Sequence, residues 1–333
     1  MAQEKNSPDL MTMIHGFWGS RVLFAGQELG IYDLLARGGK TADEVARELG
    51  LDPDAAATLL GALAGLGLLR KDLQGRFTLA PETENALVAG QPGSLASIIA
   101  HMRQMWEAWG RLDEVLRRGR PEIAEERRFV ERDPQRVRAF IAGMAEVGRA
   151  SAEELARRLA AWPVRRMLDI GGGPATYCLA LARLKPELRA TLFDRPLPLE
   201  VAREFITAEG LEERVLTQEG DALTGEFGAD YDLVLISQVL HSFGPEDCAR
   251  VVREAARALA AGGWLIVNEF ALNEDRVSPP QAALFSVNML ANTEKGRAYT
   301  RNEIKEWMRA AGLGELKEED LLGRSVLFYG KKG

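Results

Sequence analysis

An apolar run that ends in three consecutive glycines, Met167-Leu-Asp-Ile-Gly-Gly-Gly-Pro-Ala-Thr176, predicts a buried strand turning sharply into a helix over residues 177–184. A strand of this kind is buried on both faces only inside a parallel sheet flanked by helices, so this short stretch dictates the architecture around it. Downstream, strand candidates recur at 190–193, 215–219, 231–236 and 264–269, separated by helical spacing. Two more, at 314–318 and 325–329, suit a terminal antiparallel pair.

The glycine turn by itself suits more than one ligand. Glycines let a bound group approach the backbone, and the helix that follows offers free amides, which fits NAD, FAD or S-adenosylmethionine (SAM). The dinucleotide spacing fails, because after Gly171 and Gly173 the third glycine position is Thr176. Asp169 stands just before the glycines, where its carboxylate can face a cation, and Asp194 and Asp221 stand at the ends of the next two strands. Ligands of parallel α/β sheets bind at the carboxyl ends of the strands, so the three acids converge on one crevice.

The first half of the chain differs in kind. Residues 10–36 carry apolar residues at helical spacing, interrupted near Gly30. Thr41-Ala-Asp-Glu44 predicts a capping box opening a helix that closes at Gly50, and Asp52-Pro53-Asp54 opens a second over 55–64. Residues 68–71 and 75–79 read as a small hairpin. Helix, turn, helix, hairpin is the winged-helix order, but the second helix contains neither Lys nor Arg, and a recognition helix needs side chains that reach bases and phosphates. Packing or dimerisation is the expected role. Residues 95–160 are again helical in pattern, with solvated charge runs such as Glu125-Glu126-Arg127-Arg128, and Trp162-Pro163 marks the expected domain boundary.

A chain of 333 residues calls for two domains, and a net charge of −7 argues against nucleic acid as the main partner. Cys178 and Cys248 lack metal-ligand spacing and read as reduced core thiols. The polar stretch 1–8 lacks the features of a signal peptide, and no apolar run is long enough to span a bilayer. A cytoplasmic protein without membrane partners is expected.

The Leu-Asp-Ile-Gly-Gly-Gly loop, the acids after it and the segment Ala25-Gly-Gln-Glu-Leu-Gly-Ile-Tyr-Asp-Leu-Leu35 together resemble the class I SAM-dependent O-methyltransferases, over nearly the whole chain. That family includes plant small-molecule enzymes and bacterial enzymes of antibiotic and pigment synthesis. The resemblance implies an α/β fold: a Rossmann-like, mostly parallel seven-stranded sheet with an antiparallel last strand, behind an N-terminal, mainly α, winged-helix-like domain. The expected division is a dimerisation and substrate-lid domain at 1–160 and a SAM-binding catalytic domain at 161–333.

By the same resemblance, Asp169, Gly171, Gly172 and Gly173 cradle the methionine part of SAM. Asp194 takes the ribose hydroxyls, Asp221 with Ala222 the adenine end, and Arg195 and Ser237 complete the cofactor set. His241 corresponds to the general base and Glu269 to the acid that orients it. The chain departs from the family pattern at Ser242 and Phe243, which follow the histidine, and at Arg297 and Ala298, where a second acid is common. No metal cluster is visible in the sequence. Acceptor-pocket candidates are Met102, Trp106, Trp109 and Met144 from the helical part, with Phe285, Asn288, Met289 and Asn292.

The expected activity is methyl transfer from SAM, leaving S-adenosylhomocysteine, to a hydroxyl of a small aromatic or polycyclic molecule, by a homodimer formed through the N-terminal domain. Three alternatives remain from the residues alone. They are a C- or N-methylating or non-methylating SAM-binding relative, a ligand-sensing DNA-binding regulator, and a nicotinamide oxidoreductase.

Overall fold

The computed structural model describes residues 9–121 and 134–333; the polar stretch 1–8 and the charge run at 125–128 lie outside the described residues. The chain divides into two compact units, Met1–Gln104 and Met105–Gly333.

In the first unit, helix Leu10–Glu28 starts at Asp9, whose carboxylate accepts the amides of Met11 and Thr12. The helical pattern over 10–36 breaks where Gly30 adopts φ 74°, which a side chain would resist, and a separate short helix Ile31–Leu35 follows. The Thr41 capping box forms as predicted, with Glu44 N donating to Thr41 Oγ1 (3.3 Å) and Thr41 N to Glu44 Oε2 (2.8 Å). It opens helix Ala42–Leu49. Helix Pro53–Gly65 is capped by Asp52 and begins two residues earlier than the sequence pattern indicates, because Pro53 fills the first helical position, where no amide is needed. A hairpin of β1 (Leu69–Lys71) and β2 (Phe77–Leu79) completes the winged-helix order. Val45, Leu60, Leu63 and Phe77 form its core, while Met13, Ile14, Phe17 and Trp18 of the first helix are exposed.

The second unit is built on a seven-stranded sheet ordered β5-β4-β3-β6-β7-β9-β8. Its strands are β3 (Arg166–Ile170), β4 (Arg189–Asp194), β5 (Val215–Glu219), β6 (Tyr231–Ser237), β7 (Leu259–Glu269), β8 (Leu313–Leu321) and β9 (Ser325–Lys332). Strands β3 to β7 run parallel, and β9 lies antiparallel between β7 and β8. Alternate residues serve opposite faces: Met167, Leu192, Leu233 and Leu235 join one core, and Leu168, Phe193, Val234 and Ile236 the other. Strand β7 begins five residues earlier than expected, passing through Gly262 and Gly263 with a register shift opposite Tyr231–Leu233.

The division falls between Gln104 and Met105, and the helix that precedes residue 160 packs with the sheet unit. In helix Pro134–Leu159, Ala152, Leu155, Ala156 and Leu159 share one core with Met167, Leu179 and Leu192 of the sheet unit. Helical periodicity marks an apolar stripe but not the surface that covers it. Chain order changes direction between β3 and β6, which opens a crevice at the carboxyl ends of these strands. Among the described residues no helix is long and apolar enough to cross a membrane.

Candidate active site

The crevice floor is the glycine turn. Gly171 adopts φ 67° and donates its amide to Phe193 O (2.7 Å), tying the turn to β4. At Gly172 a Cβ would lie 2.5 Å from Leu192 Cδ1 and 2.6 Å from Asp169 Cγ, so only glycine lets the backbone cross above the carboxylate. Gly172→Ala is expected to displace Asp169 and destabilise the chain by about 1–3 kcal/mol. An unchanged urea midpoint in this variant would argue against that crowding. The helix that follows, Thr176–Leu184, has Ala175 at its N-cap without a side-chain cap, leaving its first amides open toward the crevice.

Asp169 is fully buried, with one oxygen unpartnered and the other accepting only from the Cys178 thiol at 3.5 Å. Burial, the dominant cause, pushes its carboxyl up to about 7; the thiol bond opposes the shift and the neighbouring Asp194 adds to it. Asp194 closes β4, and its carboxylate accepts the amides of Gly173 (2.9 Å) and Arg195 (2.7 Å). Burial raises the Asp194 carboxyl and those two amides counter the rise. Asp221 is exposed beyond β5, accepting Leu223 N at 2.8 Å, next to half-buried Ala222; Arg195 is exposed. Ser237 ends β6, where its hydroxyl accepts from Asn268 Nδ2 (3.0 Å), as does the Tyr177 hydroxyl (3.0 Å).

Buried polar atoms without partners reveal what such a crevice is built for. Among the described residues, the unpartnered side-chain oxygens of this unit are those of Asp169, Thr176, Gln238 and Asn268. All four stand at the carboxyl ends of β3, β6 and β7 or at the start of the helix after β3. Together with the open amides and the uncompensated carboxylate, this donor set fits a polar, cationic ligand of SAM's chemistry. Among the described residues no group of His, Cys, Asp and Glu could hold a metal ion.

His241 lies on a short 3-10 turn, Leu240–Ser242, directly after β6. Its Nδ1 is 2.8 Å from Glu269 Oε2, and Glu269 Oε1 accepts the amides of Val239 (2.9 Å), Leu240 (2.8 Å) and His241 (3.4 Å). Every contact asks Glu269 to accept, so Nδ1 carries the proton and Nε2 presents a lone pair. Phe285 meets the imidazole edge-on, centroids 4.8 Å apart, and Phe270 backs Phe285 at 4.5 Å. Ala298 is buried in an apolar cluster with Leu272 and Ala282, and Arg297 pairs with Glu303, so neither offers an acid to His241.

The other pocket candidates divide. Trp109 Nε1 donates to Asn288 Oδ1 (2.9 Å), which also accepts from Asn292 Nδ2 (3.1 Å), forming one polar ladder. Met289 is buried and Met144 half-buried on the long helix. Trp106 is partly exposed, and Met102 belongs to the first unit. Tyr177, Gln238, Asn268 and Phe270 were not among the expected site residues. A polar Asn268 inside the apolar run of β7 is the signal that marks this strand end.

Residues 11–102 match the O-methyltransferase dimerisation domain and residues 109–314 the O-methyltransferase domain. The chain is 31% identical over 316 residues to the 3-hydroxy-5-methyl-1-naphthoate 3-O-methyltransferase of Streptomyces sahachiroi, covering 93% of this chain and 90% of that one. An O-methyltransferase family protein from Burkholderia thailandensis superposes with a TM-score of 0.87 at 30% identity, covering 98% of this chain and 97% of that one. Human N-acetylserotonin methyltransferase, solved in complex with SAM, superposes with a TM-score of 0.87 at 25% identity over the full length of both chains. With the glycine crevice, the histidine at its rim and both matched domains in one polypeptide, the chain belongs to the O-methyltransferase family.

Proposed function

We propose that the protein transfers a methyl group from SAM to a hydroxyl of a small aromatic or polycyclic molecule, with His241 as general base. The observation that carries this reading is the His241–Glu269 pair at the rim of a crevice lined by unpartnered oxygens. SAM, when bound, supplies an electrophilic methyl group on a sulfonium. Asp169 with Gly171, Gly172 and Gly173 would hold its methionine part, Asp194 the ribose hydroxyls, and Asp221 with Ala222 the adenine end, with Arg195 and Ser237 alongside. His241 Nε2 takes the hydroxyl proton as the acceptor oxygen is alkylated. Glu269 fixes the imidazole tautomer and balances the imidazolium charge.

The aromatic wall of Phe270 and Phe285 favours a flat acceptor, and the Trp109–Asn288–Asn292 ladder offers polar contacts to its oxygens. The naphthoate and N-acetylserotonin enzymes, whose acceptors are aromatic by name, support the same class. The unit Met1–Gln104 serves dimerisation, a second copy covering Met13, Ile14, Phe17 and Trp18, and the larger unit carries methyl transfer. The cytoplasm suits the two free, buried thiols, Cys178 and Cys248.

Calorimetric titration with SAM and S-adenosylhomocysteine, with NADH as control, tests the cofactor. Micromolar binding of both sulfur compounds, weakened at least about tenfold in Asp194→Ala, is expected. Binding of NADH alone would sink the reading. A screen of hydroxynaphthoates and N-acetylserotonin, followed by mass spectrometry for a gain of one methyl, tests the acceptor class.

A further inference from the structure

A three-residue 3-10 turn has too few internal hydrogen bonds to hold a catalytic side chain still. The turn at Leu240–Ser242 is gripped on its amide side by Glu269 Oε1, as described. Its carbonyl side is gripped from elsewhere in the chain. The Cys248 thiol donates to Leu240 O (3.1 Å), and the Tyr299 hydroxyl donates to Phe243 O. Gly296 presses against His241 O so closely that a Cβ there would lie 2.3 Å from it, and its amide is fixed by Thr293 Oγ1 at 2.8 Å.

Tyr299 is itself immobilised. It is buried, its ring meets Trp307 edge-on at 4.7 Å, and the Arg297 guanidinium lies 5.1 Å over the ring. Arg297 is in turn paired with Glu303 at 3.3 Å. Burial pushes the Cys248 thiol up to about 12 and raises the Tyr299 phenol further, so both remain protonated donors throughout the neutral range. The carbonyl clamp therefore keeps its strength while the base cycles between its proton states.

We infer that Tyr299, seconded by Cys248, is the positioning residue that fixes the carbonyl side of the His241 turn and so aims Nε2 at the acceptor. Without the hydroxyl the carbonyl side keeps only the Cys248 thiol on Leu240 O and the Gly296 contact, and the turn can pivot about the Glu269 carboxylate. The inference rests on His241 acting as the base.

Tyr299→Phe removes one oxygen and leaves the ring packing intact. With SAM and the fastest hydroxynaphthoate or other phenol, kcat is expected to fall about tenfold, because a small misplacement of a reacting group is costly. KM for the acceptor and affinity for SAM stay unchanged. In a His241→Ala background the same substitution should change nothing further, since its effect passes through the imidazole. The His241 Nδ1 proton resonance should exchange faster with water in Tyr299→Phe. Cys248→Ser, which keeps a donor, should retain turnover that Cys248→Ala loses. Turnover of Tyr299→Phe within about twofold of wild type, or an equal loss with and without His241, would overturn the inference. Wild-type turnover in His241→Ala alone would instead defeat the base assignment, so the two failures are distinct.

Discussion

His241→Ala lowers kcat by about 10²–10⁴-fold, the usual contribution of a positioned general base, while affinity for SAM stays unchanged. The imidazole touches Glu269 and Phe285 and belongs to neither apolar core, so its removal leaves the sheet and the glycine turn intact. Steady-state rates with a phenolic acceptor, beside calorimetry with SAM, separate the two effects. A near-wild-type rate would mean that the acceptor arrives already ionised and that orientation alone drives transfer.

A second large effect is expected at Asp169, and its sign depends on pH. The carboxyl titrates at about 7 in the folded chain against 3.8 for an unperturbed aspartate. Below pH ~4 both folded and unfolded states hold the proton, and burial costs little. As pH rises through this window the unfolded state ionises first, so stability is lost progressively until the folded carboxyl also ionises near 7. The difference of about three units amounts to about 4 kcal/mol above neutrality. Asp169→Asn removes that cost. The SAM-free variant is therefore expected to be more stable than wild type at pH 8, by up to about 4 kcal/mol, with the gap closing toward pH 4.

On the proposed role of Asp169, the same substitution removes the carboxylate that would face the cationic cofactor, and SAM affinity is expected to drop by about 30-fold or more. Urea titrations at pH 5 and pH 8 with calorimetry at pH 8 read both effects. Destabilisation of the variant at both pH values would mean that the ionised carboxylate has a stabilising partner, contrary to its single thiol contact. The protein would thus retain a buried, poorly compensated acid at a cost in stability, because the ligand supplies the missing charge.

Where neighbours along the chain carry the information, the sequence was legible. The capping box at Thr41 and Glu44 and the left-handed break at Gly30 depend on residues within a few positions of each other. The expected strand bounds 215–219 coincide with β5 for the same reason. The most poorly bounded strand, β7, contains two glycines that carry no apolar signal, yet it pairs with β6 on both sides of them, at Leu259 and again from Trp264 onward. The helix at 134–159 read correctly as a helix, but the surface that covers it could not be read, because an apolar stripe does not name its partner.

The amino-acid order alone thus determined the strand–glycine–helix unit, the acids at the strand ends, the winged-helix order and a histidine after β6, since each rests on short-range backbone chemistry. The tertiary structure alone decided that Glu269, besides meeting the imidazole, grips the backbone of its turn, 28 residues away. It also decided that Asn268 bridges Tyr177 and Ser237, and that Tyr299 closes the far side of the His241 turn. Those contacts depend on which strands lie side by side, and that order is set by burying two apolar faces at once, a condition satisfied only by the whole folded sheet.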